Sequence, residues 1–440
     1  MGIQNFPAAL QPIIQQGFLE REFQQALASR LGYRACADRE QIAVGIGETL
    51  TKTRAGLKPT VTAPLSPSTN TNLDNGLTPG NWGVEQFTIT INHYAATADL
   101  NMVTSRVGIA SQFLQNAYAN GEQAARSLDE IARNALYSAY FGGNTRVRVT
   151  LSSPGTAVPV DDLRGFQLIF VNSIQQPVSS SNPLTVTIGA NIYSVVGTAA
   201  DAANVSTTWG GVSGTLTLSS AVSTSDGSIG NTVLATTASA MIRPSGRSNV
   251  SALTAVDTLN MSCLLDAVAR LRINAVPEID GAYNCYLDPV SARQLFSDPD
   301  FKQLFQGATS ANQVFRKGMT NDFLGLRFMP TTEVFVQQHP TLQNVLIRRP
   351  IICGAGALIE GDFAGMAAQD VAPSNSIVTV VDGIAMVTRE PIDRLQQIIA
   401  QSWYWIGGFC APSDTTTNPS TIPTASNAAY KRAVIVEHVG

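Results

Sequence analysis

Three histidines, His93, His339 and His438, are the side chains of this 440-residue sequence best suited to proton transfer or metal ligation. None stands in HxxxH, HExxH or HxD spacing, so neither a zinc site nor a histidine base is indicated. Each reads as a surface or interface histidine. No Gly-x-Ser-x-Gly elbow and no GxxxxGKS/T phosphate loop occurs. Gly354-Ala355-Gly356 is half of a dinucleotide fingerprint without the third glycine, and reads as a turn. Asp161-Asp162 and the pair Glu360/Asp362 lack the spacing of a calcium loop. The first of these pairs is expected to open a β segment. The five cysteines, Cys36, Cys263, Cys285, Cys353 and Cys410, are scattered, odd in number and mostly in apolar surroundings. Buried thiols fit that pattern better than a disulfide framework or a CxxC metal site. Asn204, Asn249 and Asn260 each start an Asn-x-Ser tripeptide, discounted as glycosylation sites because no secretion signal accompanies them. No catalytic, metal or cofactor-binding residue is assigned, which points away from an enzyme.

The elements that would position such groups are many. Hydrophobic residues make up 44% of the chain, enough for two or three domains with real cores. No apolar run approaches the ~18 residues of a membrane span. Residues 1–17 have no basic start or long apolar stretch, so no secretory signal is expected. Charged residues are only 14% of the chain, against about 25% in ordinary globular domains. Two explanations stand: much surface is covered by subunit contacts, or a β-rich domain carries a polar uncharged coat. A net charge of -4 argues against a broad nucleic-acid-binding face and leaves room for local basic patches on one side.

Residues 12–31 form an amphipathic helical pattern through Ile13, Ile14, Phe18, Phe23, Leu27 and Leu31. Prolines 59, 64, 67 and 79, with four glycines, exclude helix from residues 56–92. There the return limb alternates, with Phe87, Ile89 and Ile91 on one face and Gln86, Thr88, Thr90 and Asn92 on the other. The segment reads as a long two-stranded excursion with Ser66–Asn75 at its tip. Such a ribbon is marginal in water alone, so it should lie on a neighbour. Two helices are expected next, divided at Asn120-Gly121 by a C-cap signature, the second running from Glu122 to Phe141 and ended by Gly142-Gly143. Residues 165–242 carry only Asp201 and Asp226 as charges and show short alternating stretches, for example Leu184–Ile188 and Gly214–Leu218. They read as an inserted all-β module. A helix is expected over 254–274, started by a Thr254/Asp257 capping box. A strand over 283–287 should run into Asp288-Pro289, an N-cap with proline in first place, and Asp298-Pro299 repeats the device. Turns and strands over 315–336, a stretch over 377–388, a helical-looking segment over 394–405 and a strand over 433–439 complete the chain.

This order of elements resembles the major capsid proteins of tailed bacteriophages, with the Hong Kong ninety-seven fold that encapsulins share. Residues Glu122 to Leu136 look like the spine helix of the short-tailed phage branch. Tyr286 to Leu295 resembles the strand–proline–helix of its axial domain. Gly318 to Val334, with Phe323, Gly325, Phe328 and Thr332, is similar to its Gly-x-Phe turn, and Ile398 to Ala411, with Trp403, Tyr404 and Gly407, to its C-terminal aromatic segment. The resemblance covers the chain except residues 144–250.

It implies an α+β fold divided as follows: N-terminal arm 1–55, extended loop 56–92, peripheral domain with spine helix 93–143, inserted all-β domain 144–250, axial domain and return strands 251–376, and the peripheral domain's C-terminal part 377–440. It implies self-assembly into hexamers and pentamers of an icosahedral virion shell enclosing double-stranded DNA without sequence-specific binding. It also implies assembly in the host cytoplasm with a separate scaffolding protein and a portal protein, a decoration protein as an optional partner, and neither cofactor nor membrane. Lys58, Trp82, Phe87, Ile89 and Ile91 are the candidate intersubunit residues of the extended loop, and Phe18, Phe23 and Leu27 those of the arm. A lysine–asparagine cross-link at Lys58 has no other support. The alternatives are an encapsulin-type compartment and a β-rich glycan-binding protein acting through residues 165–242.

Overall fold

The computed structural model describes residues 32–41, 49–55, 64, 84–101, 109–171, 174–236, 238, 241–301, 322–323, 325–362, 376–389, 394, 398–412 and 431–440. Two compact units emerge. The first comprises Met1–Leu50, Ile89–Ala135 and Leu358–Cys410, and the second Thr51–Thr88, Leu136–Ala357 and Ala411–Gly440.

In the first unit one long strand organises everything. Residues 403, 405 and 407 of Ile398–Cys410 are buried while 402, 404 and 406 are half-buried, the period of two that defines a strand. The helical pattern expected over 394–405 is therefore wrong for the described part. Apolar residues at 398, 399, 403 and 405 fit both periods, and burial of alternate residues in a central strand decides for β. This strand pairs antiparallel with Asn92–Asn101 and Ile384–Arg389 along its first part, then with Leu358–Asp362 along its last. Ala37–Gln41 adds a parallel edge to Leu358–Asp362, and Ser376–Val381 pairs with Ile384–Arg389. The crossover lies at Gly407 and Gly408. A Cβ on Gly408 would stand 2.0 Å from the Thr90 carbonyl oxygen, and one on Gly407 2.5 Å from that of Gly361.

A single helix, Ile109–Tyr140, runs 32 residues, about 48 Å at 1.5 Å per residue. The expected division at Asn120-Gly121 does not occur. Asn120 is buried, and its side-chain amide donates to the Gln401 carbonyl at 3.2 Å instead of capping. Gly121 lies on the buried face with Ala117, Ala124, Ala125 and Leu128. Tertiary packing outweighs the ~1 kcal/mol propensity cost of a mid-helix glycine. That face meets Ile384, Met386, Trp403 and Trp405. Tyr94 and Phe409 stack on Trp405 at 5.9 and 5.4 Å.

In the second unit the helix's last turn is held by Tyr140, whose hydroxyl donates to the Ala357 carbonyl at 2.8 Å, and by Tyr137 donating to the Arg349 carbonyl. Gly143, at φ 66°, ends the helix as expected. Six antiparallel strands follow, ordered Asn144–Arg146, Thr232–Ala235, Leu184–Ile188, Asn191–Ala200, Gly214–Val222 and Gly155–Val160. A bridge between Val147 and Val160 joins the last to the first, so the sheet closes into a barrel. Its interior is filled by the alternate residues of each strand, among them Val147, Val160, Leu184, Val186, Ile188, Leu216 and Val233. Closure removes the free edges that an open sheet exposes. The inserted all-β module thus takes the form of a barrel from Asn144 to Ala235.

Beside it, Val84–Thr90 lies between Thr49–Ala55 and Ile174–Pro177, and Ile174–Pro177 pairs with Leu168–Val171. The α/β core of this unit centres on Tyr283–Leu287, buried at every position and flanked by Leu326–Pro330 in parallel and Ile351–Cys353 antiparallel. The expected terminal strand divides in two. Ala433–Ile435 joins this sheet, while His438–Val439 pairs with Leu346–Arg349, itself paired with Phe335–Gln338.

Two helices pack on that core. One spans Met261–Ile273 and not 254–274. The Asp257 carboxylate accepts from both the Thr254 amide and hydroxyl at 2.8 Å, and from Ser245 and Arg247 at 3.0 Å, closing a turn instead of opening a helix. Asn260 is the actual N-cap, accepting from the Cys263 amide at 3.0 Å. The other helix, Pro289–Ser297, is capped by Asp288 as expected. Asp298 then accepts from the amides of Asp300 and Met261 at 3.2 and 2.7 Å, tying one helix start to another.

Candidate functional site

The candidate contact residues separate on inspection. Phe87 and Ile89 are buried within the chain and Ile91 is half-buried. Lys58, Trp82, Phe18, Phe23 and Leu27 lie outside the described residues. Beside Phe87, the Thr88 hydroxyl donates to the Gln175 side-chain oxygen at 2.8 Å, linking the return limb to Ile174–Pro177. The other part of the arm that the structure describes, Tyr33–Gln41, is held by charge. Arg34 and Glu360 are fully buried partners, with Arg34 Nε 2.9 Å from both carboxylate oxygens and Nη2 2.5 Å from one. Arg34 Nη1 also reaches Asp382 at 3.0 Å, and Arg39 grips the same carboxylate. Asp129 on the long helix accepts from the amides of Tyr33 and Arg34 at 2.6 and 3.1 Å.

A second buried network fixes the barrel to the core of its unit. Asp161 accepts from the Thr207 amide at 2.7 Å and from Gln337 Nε2 at 2.5 Å, with Arg146 Nε at 3.5 Å. Gln337 in turn accepts from Arg349, whose Nε donates to Glu437 at 2.8 Å, and Arg243 donates to the other Glu437 oxygen at 2.7 Å. Burial alone would raise the Glu437 carboxyl, but Arg243 and Arg349 outweigh it and hold the group below the usual carboxylate range. Burial lowers Arg146, which Asp161 opposes and Arg349 reinforces. Asp161-Asp162 was expected only to open the β module, and its part in this network was not foreseen. Scarcity was the available signal: in a charge-poor chain, charges flanking apolar strands are candidates for buried partners.

The histidine expectation needs correction. His93 is exposed, but His339 and His438 are buried. His339 ties a loop, its Nε2 3.0 Å from the Leu253 carbonyl, and burial lowers its pKa. His438 Nε2 lies 2.8 Å from Ser291 Oγ, and Asp288 accepts from the same hydroxyl. These three residue types could be mistaken for a hydrolytic triad. Here the carboxylate touches the serine and not the histidine, and Ser291 and His438 are both 0% exposed. A triad needs the carboxylate on the far side of the imidazole and an accessible hydroxyl. Burial pushes the His438 pKa down to about 4.

Four cysteines are buried and Cys410 is half-buried. Burial pushes Cys263 up to about 11 and Cys285 and Cys410 up to about 12, far from thiolate chemistry at neutral pH. Among the described residues no three His, Cys, Asp or Glu side chains cluster as metal ligands, and no helix is long and apolar enough to cross a membrane. The three Asn-x-Ser asparagines serve the backbone. Asn204 accepts from the amides of Ser206 and Ser213, Asn249 from that of Ala252, and Asn260 caps its helix. Of the two charges in residues 165–242, Asp201 pairs with Arg148 at 3.0 Å, while Asp226 accepts from Asn191 and Tyr193 at 2.7 Å.

The second unit holds a cleft of about 700 Å3 lined by residues of the 204–210 loop and by Val336, Gln338, Asn344 and Leu346.

No protein-family model matches the chain, and no curated protein matches it. Solved structures to which it is similar include phage capsids. The capsid of Ralstonia phage GP4 is 10% identical at a TM-score of 0.49, covering 92% of this chain and 87% of that one. The capsid of cyanophage P-SCSP1u is 12% identical at 0.45, covering 91% and 86%. The capsid of cyanophage Pam1 is 12% identical at 0.42, covering 89% and 85%.

Proposed function

We propose that this chain is a major capsid protein of a tailed bacteriophage, a structural subunit that assembles into the closed icosahedral shell of the virion. The observation that carries the reading is the order of elements around one unbroken 32-residue helix. An extended strand pair precedes it, and an inserted β-barrel and an α/β core with the Asp288-Pro289 helix start follow. The chain then returns to the first sheet through Ile398–Cys410. Apart from the barrel, this agrees with the long helix, α/β domain and C-terminal return on which the sequence resemblance rests.

Physical features support a shell subunit over a catalyst. The buried charges hold arm, barrel and core strands in place, and the Ser291/His438 pair is sealed from any substrate. Exposed apolar side chains such as Ile192, Ile229 and Val256 are scattered over a surface poor in charge, as suits repeated modest contacts that sum over a closed particle. In this reading the loop of residues 60–90 and the arm supply lateral contacts. Lys58, Trp82, Ile91, Phe18, Phe23 and Leu27 are the contact candidates. Phe87 and Ile89, buried in the subunit, hold the loop's base. A scaffolding protein, a portal protein, packaged double-stranded DNA and a decoration protein are the partners, and assembly takes place in the host cytoplasm.

The test is negative-stain microscopy of the chain co-expressed with its neighbouring genes. Closed icosahedral shells are the expected result. A persistent monomer under those conditions overturns the reading.

A further inference from the structure

We infer that the cleft beside Trp209 is a binding site for a neutral saccharide. The loop that presents Trp209 is locked from within. Asn204 Oδ1 accepts from the amides of Ser206 and Ser213, each at 3.1 Å, and its Nδ2 donates to the Gly211 carbonyl at 2.6 Å. Ser206 Oγ accepts from the Thr208 amide at 3.1 Å, and the Trp209 amide donates to the Val336 carbonyl at 2.7 Å. Gly211 is required here, because a Cβ would stand 2.4 Å from Ser206 Oγ. Ten residues line the cleft and none is charged: Asn, Ser, Thr, Gln, Gly, Val, Leu and one Trp.

Despite this rigid frame, Trp209 is 53% exposed. A large aromatic held in place on a polar surface is pre-organised for stacking, so little side-chain entropy is lost on binding. Gln338 and Asn344 are exposed in the same cleft, and their carboxamides have no hydrogen-bond partner among the described residues. Asn344 holds φ 61°, a left-handed conformation that fixes where its side chain leaves the backbone. A carboxamide offers donors and an acceptor together, the complement of vicinal hydroxyls, while an indole face matches the C–H face of a pyranose. With no cation or carboxylate in the lining, a phosphorylated, sulfated or amino sugar gains no charge partner, so the ligand class is neutral hexose units.

Saturation-transfer NMR on the full chain with maltohexaose, cellohexaose and mannohexaose tests this. At least one should bind, and Trp209→Ala should weaken that binding by about tenfold or more, with the thermal melt unchanged. Should Trp209→Ala fold poorly, the Gln338→Ala/Asn344→Gly double variant, which removes both exposed amides and keeps the left-handed backbone at 344, decides by the same loss. Binding of none of the three sugars overturns the inference, as does binding that survives these substitutions. Shell assembly is read separately by microscopy, so failure here leaves the capsid reading standing.

Discussion

Arg34 meets Glu360 with two guanidinium nitrogens, and side-chain exposures of 1% and 0% leave the pair essentially dry. The two lie 326 positions apart, so this contact joins the described arm to a strand near the far end of the chain. Removing one partner strands a buried charge, a change that costs about 3–5 kcal/mol in comparable pairs. Glu360→Ala should therefore lower the urea midpoint of the soluble subunit far more than Arg39→Ala, whose side chain is 48% exposed. Equal effects in urea melts would show that the arm is not held by this pair.

His438 makes stability depend on acid. Its folded pKa is depressed to about 4 from 6.5, so between those values the unfolded chain binds a proton that the folded one refuses. The His438 contribution is whole above about pH 6.5 and lost as pH falls toward 4, at most about 3 kcal/mol. Glu437, held below its usual range, adds a loss at still lower pH. Unfolding free energy measured from pH 7 to 4 should fall, and His438→Gln should flatten that fall. An identical slope in the variant would assign the acid sensitivity elsewhere.

The thiols should be silent in the native subunit. With four of them buried and Cys410 half-buried, an aromatic disulfide reagent should reach the four buried thiols only after denaturation, and Cys410 should be the first to react as the fold loosens. Fast labelling of Cys263 or Cys285 under native conditions would contradict their raised pKa values.

Deleting Ser66–Asn75, proposed above as part of the lateral contact segment, should leave a soluble subunit with an unchanged thermal melt and impair shell formation. Normal particles from that deletion would remove Ser66–Asn75 from the assembly contacts.

Much of this was legible in the residues. The alternation in Leu184–Ile188 and Gly214–Leu218 marked strands correctly, and Asp288-Pro289 marked a helix start. Where the reading failed, distant contacts had overruled local pattern. Asn120-Gly121 looks like a helix end until Gln401, 281 positions away, takes the asparagine amide. Residues 398–405 fit a helical period until three neighbouring strands bury alternate side chains. Asp257 resembled a capping residue and became the hub of a turn, with Arg247 and Ser245 on its free lone pairs. His438 beside Ser291 could not be foreseen, because only the folded chain brings positions 147 apart together.

The barrel closes on itself through Val147 and Val160, and its first and last strands lie side by side, Asn144 paired with Leu234. The chain therefore leaves the core and returns to it at almost the same point. Lengthening its turn at Gly189, at the end of Leu184–Ile188 away from Ala235, leaves the spacing at the junction untouched. A lineage, or an engineer displaying a foreign peptide, can extend that turn while Asp161, joined to Gln337, keeps the barrel on its core.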